Sequence, residues 1–180
     1  MPDYVIRRAT AADIVHLPSV EKRAAAMFTD WLAETGLTRE LMGEVSSIEE
    51  FAEAQQRGHL WVAVDDRSPV GFALVELLGP AVHLEELDVV PEHGRRGIGL
   101  RLLETVCAWA MAAGHPSVTL STFTAVPWNA PFYQRHGFHV VEPADVSPQH
   151  VALVDAERAR GLRTDLRVLM EYKTSGRRVG

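Results

Sequence analysis

Two neighbouring carboxylates and a glycine-rich turn lie close together in this sequence. The carboxylates could bind a cation, and the turn could bind an anion. The apolar run Leu84-Glu85-Glu86-Leu87-Asp88-Val89-Val90 ends at Pro91, and the turn Gly94-Arg95-Arg96-Gly97-Ile98-Gly99-Leu100 follows. A carboxylate can hold an ammonium group and remove its proton. Backbone N–H groups at the start of a helix bind phosphate. The stretch therefore predicts an anion site next to acidic residues that suit a cationic amine.

The turn itself favours a pyrophosphate as the anion. Gly97 and Gly99 lack a Cβ, so the chain can pack closely and present consecutive N–H groups at the positive end of the following helix. Arg95 and Arg96 add formal positive charge beside those amides. The same Gly-x-Gly spacing also occurs in ordinary strand-to-helix turns. The third glycine of a dinucleotide fingerprint and the Gly-Lys-Ser/Thr of a P-loop are both missing.

Composition limits the classes of function. The chain has 180 residues, enough for one well-buried core, with 18 basic and 24 acidic residues and a net charge of −6. This balance provides no general field to attract nucleic acid or an anionic membrane, and it suits a cationic substrate. Cys107 is the only cysteine, so we expect a buried, reduced thiol on the apolar face of its helix. With no apolar leader or spanning run, we expect a cytoplasmic protein.

Hydrophobic periodicity predicts the elements that position these residues. Predicted strands cover residues 4–8, 60–64, 70–78, 82–90, 117–122, 138–142 and 166–172. Predicted helices cover residues 14–27, 47–57, 98–113, 127–136 and 151–160. The segment 28–44 has no sustained period and is interpreted as an irregular loop next to the substrate. Residues 1–174 are expected to form one domain, followed by a polar, frayed tail at 175–180.

The chain resembles the GNAT superfamily of acetyl-CoA-dependent N-acetyltransferases over nearly its full length. The resemblance is carried by Val89-Val90-Pro91-Glu92-His93, the Arg-Arg-Gly-Ile-Gly turn and Phe132-Tyr133-Gln134-Arg135-His136-Gly137-Phe138. It implies a single α/β domain whose mixed six- to seven-stranded sheet is flanked by helices. It also implies a homodimer, and a splay between the two central parallel strands where acetyl-CoA binds.

The resemblance assigns the cofactor contacts residue by residue. They are the backbone of the strand at Leu87, Asp88 and Val89, the turn residues Arg95, Arg96, Gly97, Ile98, Gly99 and Leu100, and Asn129. Two positions depart from the family pattern. Gly94 stands where members have Gln or Arg, and Val126 stands where many have an asparagine, so the contact is carried over to Asn129.

Glu85 and Glu86 are the candidates for binding and deprotonating the amine. Leu84-Glu85-Glu86-Leu87 is similar to the Leu-Glu-Asp-Phe strand of spermidine/spermine N-acetyltransferases. By that similarity Glu85 would be the base and Glu86 an amine contact, without making polyamines the substrate. Adjacent strand residues point to opposite faces, so both can enter one pocket only if a bulge re-aims one. The family implies such a bulge. The alternative is a solvated strand face.

Tyr133 is the candidate acid, because a phenol is protonated at neutral pH and can give its proton to the leaving thiolate. The alternative is a core aromatic beside Phe132. Cys107 is badly placed to form an acyl-enzyme, so direct attack in a ternary complex is expected. His83 could relay protons or be structural. The remaining histidines show no metal-ligand spacing, and no metal is expected.

Aromatic residues could line the acceptor site. Phe28 and Trp31 lie in the segment that contacts substrate in the family, whereas Trp61 is expected to pack in the core, and Glu21 and Asp30 are further acidic candidates. The predicted function is acetyl transfer from acetyl-CoA to a primary amine of a small molecule. The alternatives are acetylation of a protein N-terminus or lysine, and a non-catalytic acyl-CoA-binding sensor.

Overall fold

A computed structural model describes residues 4–65 and 68–174. These residues form a seven-stranded sheet in the order β1-β2-β3-β4-β5-β7-β6, in which β4 and β5 are parallel and the other neighbours antiparallel. The predicted α/β fold with a mixed sheet is confirmed. The strands are β1 (Val5–Arg8), β2 (Leu60–Val64), β3 (Pro69–Leu78), β4 (Ala81–Val89), β5 (Ser117–Phe123), β6 (His139–Val140) and β7 (Arg167–Lys173).

The helices agree with the sequence in the second half of the chain and differ in the first. They are α1 (Leu17–Ala25), α2 (Leu32–Thr35), α3 (Arg39–Gly43), α4 (Ile48–Gln56), α5 (Ile98–Ala112), α6 (Ala130–Arg135) and α7 (Pro148–Ala159). The expected irregular loop at 28–44 is wrong, because a 3₁₀ turn at Ala26–Trp31 and two short helices occupy it. The first predicted helix is also divided, with a 3₁₀ turn at Ile14–His16 before α1.

Local sequence signals account for several of these boundaries. The Ser47 side chain accepts from the backbone N–H of Glu50, whose carboxylate accepts from the Ser47 N–H, and this capping box starts α4. Helix α5 ends before Gly114, whose φ of 81° is the left-handed conformation that stops a helix. The strand predicted at 138–142 is reduced to His139–Val140, and β7 lies between it and β5.

Aromatic contacts identify the two faces of the sheet. On one face Phe72 of β3 packs edge-on against Phe51 of α4, with ring centroids 5.2 Å apart. On the other face Trp61 of β2 packs against Trp109 of α5 at 5.0 Å. The Arg8 guanidinium lies 3.9 Å from the Trp61 ring centroid. Trp61 is therefore a core residue, as its sequence context predicts.

A bulge and a splay interrupt the middle of the sheet. Leu74 of β3 pairs with Glu86, but its neighbour Val75 pairs with Leu84, so Glu85 is an extra residue on β4. Strands β4 and β5 pair at Val82–Val118 and His83–Thr119 and then separate, within the described residues. The expected bulge and splay are both confirmed. They leave the later half of β4 without a neighbour on its β5 side.

Some expectations fall outside the described residues. The polar tail at 175–180 is one, and the centre of the turn between β2 and β3 at residues 66 and 67 is another. Among the residues that are described, no helix is long and apolar enough to cross a membrane.

Candidate active site

Glu85, the extra residue of the bulge, lies on the α4 side of the sheet like the acids that follow it, but it is more exposed than they are. Glu85 is solvent-exposed and lines a cavity of about 350 Å³ between α4, β3 and β4. Glu50, Glu53 and Glu76 also line this cavity. Although part of its side chain reaches water, crowding by protein atoms raises the pKa of Glu85, and the charges of Glu76 and Glu50 raise it further. Arg57 and His59 line the cavity as well, and Arg57 is paired with Glu53 at 2.9 Å. The carboxylates outnumber the guanidinium, so the cavity suits a cation once they are deprotonated.

Glu86 and Asp88 lie on the α4 face of the sheet. Their partners across the ladder are Leu74 and Phe72, and directly opposed side chains share a face. Burial raises the pKa of both carboxyls, and the charge of Glu21 raises both further. The charge of Glu86 also raises the pKa of Asp88. The sequence assigned Asp88 only a backbone role. Its spacing of two from Glu86 was the signal that the two side chains share a face.

Glu21 connects α1 to this acidic group. Its carboxylate accepts a hydrogen bond from the Ser46 backbone N–H at 2.9 Å. Burial raises the pKa of Glu21, whereas the Ser46 hydrogen bonds lower it. The structure thus brings one of the further acidic candidates, Glu21, close enough to act on Glu86 and Asp88.

Tyr133 lies on the short helix α6 and is half-buried. Its ring packs edge-on against Phe132 and Phe138, with centroids 5.2 and 5.6 Å apart. Burial raises the pKa of Tyr133, and the charges of Glu86 and Asp88 raise it further. The phenol therefore stays protonated well above neutral pH and can donate a proton.

Asn129 joins β5 to α6 and so holds Tyr133 in place. Its side-chain Nδ2 donates to the Thr122 Oγ1 at 2.8 Å. Its carbonyl oxygen accepts from the backbone N–H of Phe132 at 2.8 Å and of Tyr133 at 3.1 Å. Val126, at the place of the family asparagine, is fully buried. Cofactor binding by Asn129 stays a prediction.

The glycine turn leaves open space over the start of α5. A Cβ at Gly97 would meet nothing within 4 Å, and one at Gly99 would meet only Val89 Cγ2 at 3.9 Å. The expected close packing at Gly99 is therefore wrong. The first backbone bond of α5 runs from the Arg101 N–H to the Gly97 carbonyl, so the N–H groups of Ile98, Gly99 and Leu100 point out of the helix end. This open, N–H-lined end fits a diphosphate.

Two arginines of the turn differ in their environment. Arg95 has a φ of 57°, the one left-handed residue other than glycine in the described chain. Its side chain is exposed. Arg96 Nη1 donates to the Tyr4 hydroxyl at 2.7 Å, so its guanidinium has a fixed partner.

A second cavity, of about 480 Å³, runs along α5 away from the turn. Its lining residues come from α5, from the end of α6 and from β7: Leu100, Leu103, Glu104, Cys107, Gln134, Arg135, His136, Gly137 and Tyr172. Cys107 is half-buried at this wall, so the expectation of a buried thiol is only partly right. Burial raises the pKa of Cys107 to about 12, which keeps it a thiol and a poor nucleophile.

The two aromatic residues proposed to contact substrate, Phe28 and Trp31, pack against other rings. Phe28 packs edge-on against Phe123 at 5.6 Å and lies 6.0 Å from Trp128, which Trp31 meets edge-on at 5.4 Å. Each ring fills the space beside the next, so the four rings form a wall and do not surround a space for a bound cation.

Arg167 at the start of β7 was not identified from the sequence. Its guanidinium carbon lies 4.8 Å from the Phe123 ring centroid, and its Nη2 donates to the Ser121 carbonyl at 2.9 Å. A 3.2 Å ion pair connects it to Glu157 of α7. Its charge lowers the pKa of Glu86 and Tyr133 against the effect of burial. No spacing signal in the sequence connects β7 to these residues.

His83 has a structural position. It is 3% exposed, and its Nδ1 is hydrogen-bonded to Thr119 Oγ1 at 3.0 Å. The same hydroxyl is bonded to His150 Nε2 at 2.9 Å. Burial lowers the pKa of His83 to about 3, so the imidazole is neutral at working pH.

The segment before α4 closes over the C-terminal part of the chain. At Gly36, where φ is 65°, a Cβ would lie 2.5 Å from Cγ of Arg163, so only glycine permits this approach. Further along, Arg160, just after α7, lies 3.5 Å from Glu44, and both side chains are more than half exposed. These contacts bring residues 36–44 beside residues 160–163, which are distant in sequence.

Comparison with known proteins gives the same family as the motifs. Residues 25–138, more than half of the chain, match the model of the acetyltransferase (GNAT) family. Among solved structures, the chain is similar to PaiA N-acetyltransferase from Thermoplasma acidophilum in complex with coenzyme A, with a TM-score of 0.72 and 18% identity over 95% of this chain and 99% of that one.

Two other similar structures act on different acceptors. N-acetylglutamate synthase from Neisseria gonorrhoeae, complexed with coenzyme A and N-acetyl-glutamate, has a TM-score of 0.70 and 16% identity over 98% of this chain and 36% of that one. The ribosomal-protein-S18-alanine N-acetyltransferase from Escherichia coli has a TM-score of 0.66 and 17% identity over 97% of this chain and 96% of that one. At these identities the similarity shows the fold and leaves the acceptor open.

Proposed function

We propose that this chain, which belongs to the acetyltransferase (GNAT) family, transfers the acetyl group of acetyl-CoA to a primary amine of a small molecule. The observation that carries the choice of a small acceptor is the closure of the segment around Gly36 and Glu44 onto Arg163 and Arg160. An acceptor in a protein chain would need an open groove. The 350 Å³ cavity beside Glu85 is within the size range of small-molecule sites.

The donor site is proposed at the splay and the glycine turn. The N–H groups of Ile98, Gly99 and Leu100, with Gly97, Arg95 and Arg96, hold the diphosphate. The free side of β4 at Leu87, Asp88 and Val89 binds the pantetheine arm through its backbone, with Asn129 at the other side of the splay. The cavity along α5 has space for the nucleotide. Acetyl-CoA supplies the acetyl group as an activated thioester.

Glu86 is proposed as the base, and Glu85 as the residue that binds the ammonium form of the acceptor. This assignment exchanges the two roles that the similarity to the spermidine/spermine N-acetyltransferase strand implies, in which Glu85 is the base and Glu86 the amine contact. The reason is that Glu86 shares the electrostatic surroundings of Tyr133, whereas Glu85 faces the cavity. Burial and neighbouring charge raise the pKa of Glu86 to about 8, so its carboxylate is a stronger base than an ordinary one, and proton removal is favoured as the pH rises through that value.

Tyr133 completes the reaction by protonating the thiolate as the carbon–sulfur bond breaks. The amine nitrogen forms the new bond to the acetyl carbon and loses its proton to Glu86. Backbone N–H groups on the free side of β4 stabilise the charge that develops on the carbonyl oxygen. Cys107 takes no part, because it is a thiol in the cavity along α5. Phe28 and Trp31 form the apolar wall of the acceptor site.

A steady-state panel tests the acceptor class. CoA release is measured with small primary amines and, in parallel, with peptides that offer a free N-terminus or a lysine. We expect saturable stimulation by at least one small amine and a kcat/KM for peptides at least tenfold lower. Higher kcat/KM for peptides would make the protein-acetylating alternative correct.

A cytoplasmic location and a homodimer are also proposed, on the basis of the net charge, the lone thiol and the family. Sedimentation equilibrium of the full chain tests the homodimer. A monomer at micromolar concentration would contradict it.

A further inference from the structure

Tyr4 connects the start of the sheet to the glycine turn. Its side chain is only 8% exposed. Its hydroxyl oxygen lies 2.7 Å from Nη1 of Arg96 and 3.0 Å from Nδ1 of His93. Its ring also meets the His93 imidazole edge-on, with centroids 5.7 Å apart. A buried residue just before β1 therefore contacts both sides of Gly94 and Arg95.

The Tyr4 hydroxyl is the common partner of both side chains. A guanidinium can only donate, so Arg96 donates to the Tyr4 oxygen. The same hydroxyl is hydrogen-bonded to Nδ1 of His93, with the direction set by the imidazole tautomer. Removal of the Tyr4 hydroxyl breaks both bonds at once.

Within residues 4–65 and 68–174, the turn has few other side-chain anchors. No side chain of these residues caps the start of α5, where Gly97 adopts a φ of 76°. Arg95, two residues earlier, holds a left-handed conformation that costs a non-glycine residue free energy. The ion pair between Arg23 and Glu92 reaches the same turn, but its side chains are 49% and 63% exposed. Such exposed pairs contribute little to stability.

We propose that Tyr4 is a positioning residue for the diphosphate of acetyl-CoA and acts through Arg96. The proposal rests on the proposed function, in which the turn binds that diphosphate. With the hydroxyl present, the Arg96 side chain and the turn are ordered before the ligand arrives. Without it, ordering occurs on binding and weakens affinity, because the lost side-chain and backbone freedom opposes association.

The Tyr4→Phe variant tests this with little change in packing, because it keeps the ring. Binding of CoA and of pantetheine, which lacks the nucleotide and its diphosphate, is measured by calorimetry on the full chain. We expect the Kd for CoA to rise five- to tenfold, about the net effect of one ordinary hydrogen bond. The Kd for pantetheine should change less than twofold.

Two controls separate positioning from general damage. Thr174→Val removes another buried hydroxyl, which donates to the His115 carbonyl at the far end of the sheet, and should leave both Kd values unchanged. Arg96→Ala should also weaken CoA binding. In the Arg96→Ala background, Tyr4→Phe should add less than a twofold loss, because the partner through which it acts is gone.

The possible results distinguish the inference from the function on which it rests. If wild type prefers CoA to pantetheine and Tyr4→Phe leaves that preference intact, the inference is wrong and the proposed donor site stands. Equal losses for CoA and pantetheine would also overturn the inference. If wild type binds CoA and pantetheine equally, the turn does not bind the diphosphate, and both proposals fail.

Discussion

Glu86 and Asp88 share the α4 face because they are two residues apart on β4, and the extra residue of the bulge brings Glu85 to the same side. The sequence places two acids side by side at Glu85 and Glu86, which predicts opposite faces. It contains no signal that fixes the bulge between Leu84 and Glu86. The family resemblance supplied that expectation, and the ladder with β3 confirms it. The distinct surroundings of Glu85 and Glu86 therefore become visible only in the structure.

Removing the Tyr133 hydroxyl should slow the chemical step and spare binding. A general acid typically contributes 10²–10⁴-fold to a rate. We expect Tyr133→Phe to lower kcat about 100-fold or more, with the Kd for CoA changed less than twofold. Steady-state kinetics and calorimetry measure the two quantities. A loss confined to CoA affinity would mean that Tyr133 is a packing residue.

The pH dependence of the rate should report Glu86. A base must be deprotonated, so its raised pKa moves the acidic limb of kcat/KM to higher pH than an ordinary carboxyl would give. We expect Glu86→Gln to remove this limb and Glu85→Gln mainly to raise the KM for the amine. If Glu85→Gln removes the limb instead, Glu85 is the base, as the sequence similarity implied.

The same carboxyl should lower stability at high pH. A raised folded-state pKa contributes stability at low pH that is lost as pH rises through that pKa. We therefore expect Glu86→Gln to be more stable than wild type by about 1 kcal/mol at pH 8, or roughly 2–4 °C, and to show no gain at pH 5. Thermal unfolding at the two pH values checks the sign. An equal change in stability at pH 5 and pH 8 would contradict a raised pKa at Glu86.

At the scale of elements, the two ends of α5 differ in role although each has a left-handed glycine. Gly97 has a φ of 76° and Gly114 a φ of 81°, and a Cβ at either meets nothing within 4 Å. Each substitution by Ala should therefore cost about 1 kcal/mol of backbone strain. We expect Gly97→Ala also to raise the Kd for CoA at least tenfold, because its methyl group fills the open end, and Gly114→Ala to leave it unchanged. Equal CoA affinities in the two variants would contradict a diphosphate site at this end of α5.

Elements with strong local signals were predictable and short ones were not. The capping box at Ser47 and the glycine that ends α5 define their helices, so both agree with the structure. The turns between Ala26 and Gly43 are each too short for a hydrophobic period. They are held by contacts from Phe123, Arg163 and Arg160, which the sequence does not reveal.

At the scale of the whole molecule, a buried series of hydrogen-bonded side chains connects α7 to the centre of the sheet. It runs from His83 through Thr119 to His150, whose Nδ1 is bonded to Ser147 Oγ at 2.7 Å. Arg167 makes a second connection through Glu157. His83, Thr119 and His150 are far apart in sequence. The pairing of β4 with β5 brings His83 beside Thr119, and the packing of α7 adds His150.

The hydrogen-bonded side chains of His83, Thr119 and His150 should make the stability of the protein sensitive to acid. Burial lowers the pKa of His83 to about 3 and also lowers that of His150. A depressed folded-state pKa contributes stability above the unfolded value near 6.5 that is lost as pH falls toward the folded value. For His83 alone we expect a loss of about 3 kcal/mol between pH 7 and 4.

Urea unfolding across this range measures the loss. His83→Gln should be less stable than wild type at pH 7 and should show a shallower fall in stability toward pH 4. An unchanged slope would mean that His83 is not the group responsible.

A single-turnover experiment tests direct transfer to an amine most directly. Wild-type protein is mixed with a limiting amount of acetyl-CoA, and free CoA and acetylated amine are followed before and after a small primary amine is added. The account predicts no CoA release until the amine is present, then release of CoA and acetylated amine in equal amounts. Release before the amine would indicate an acyl-enzyme, and no release with any amine would indicate a protein that only binds acyl-CoA.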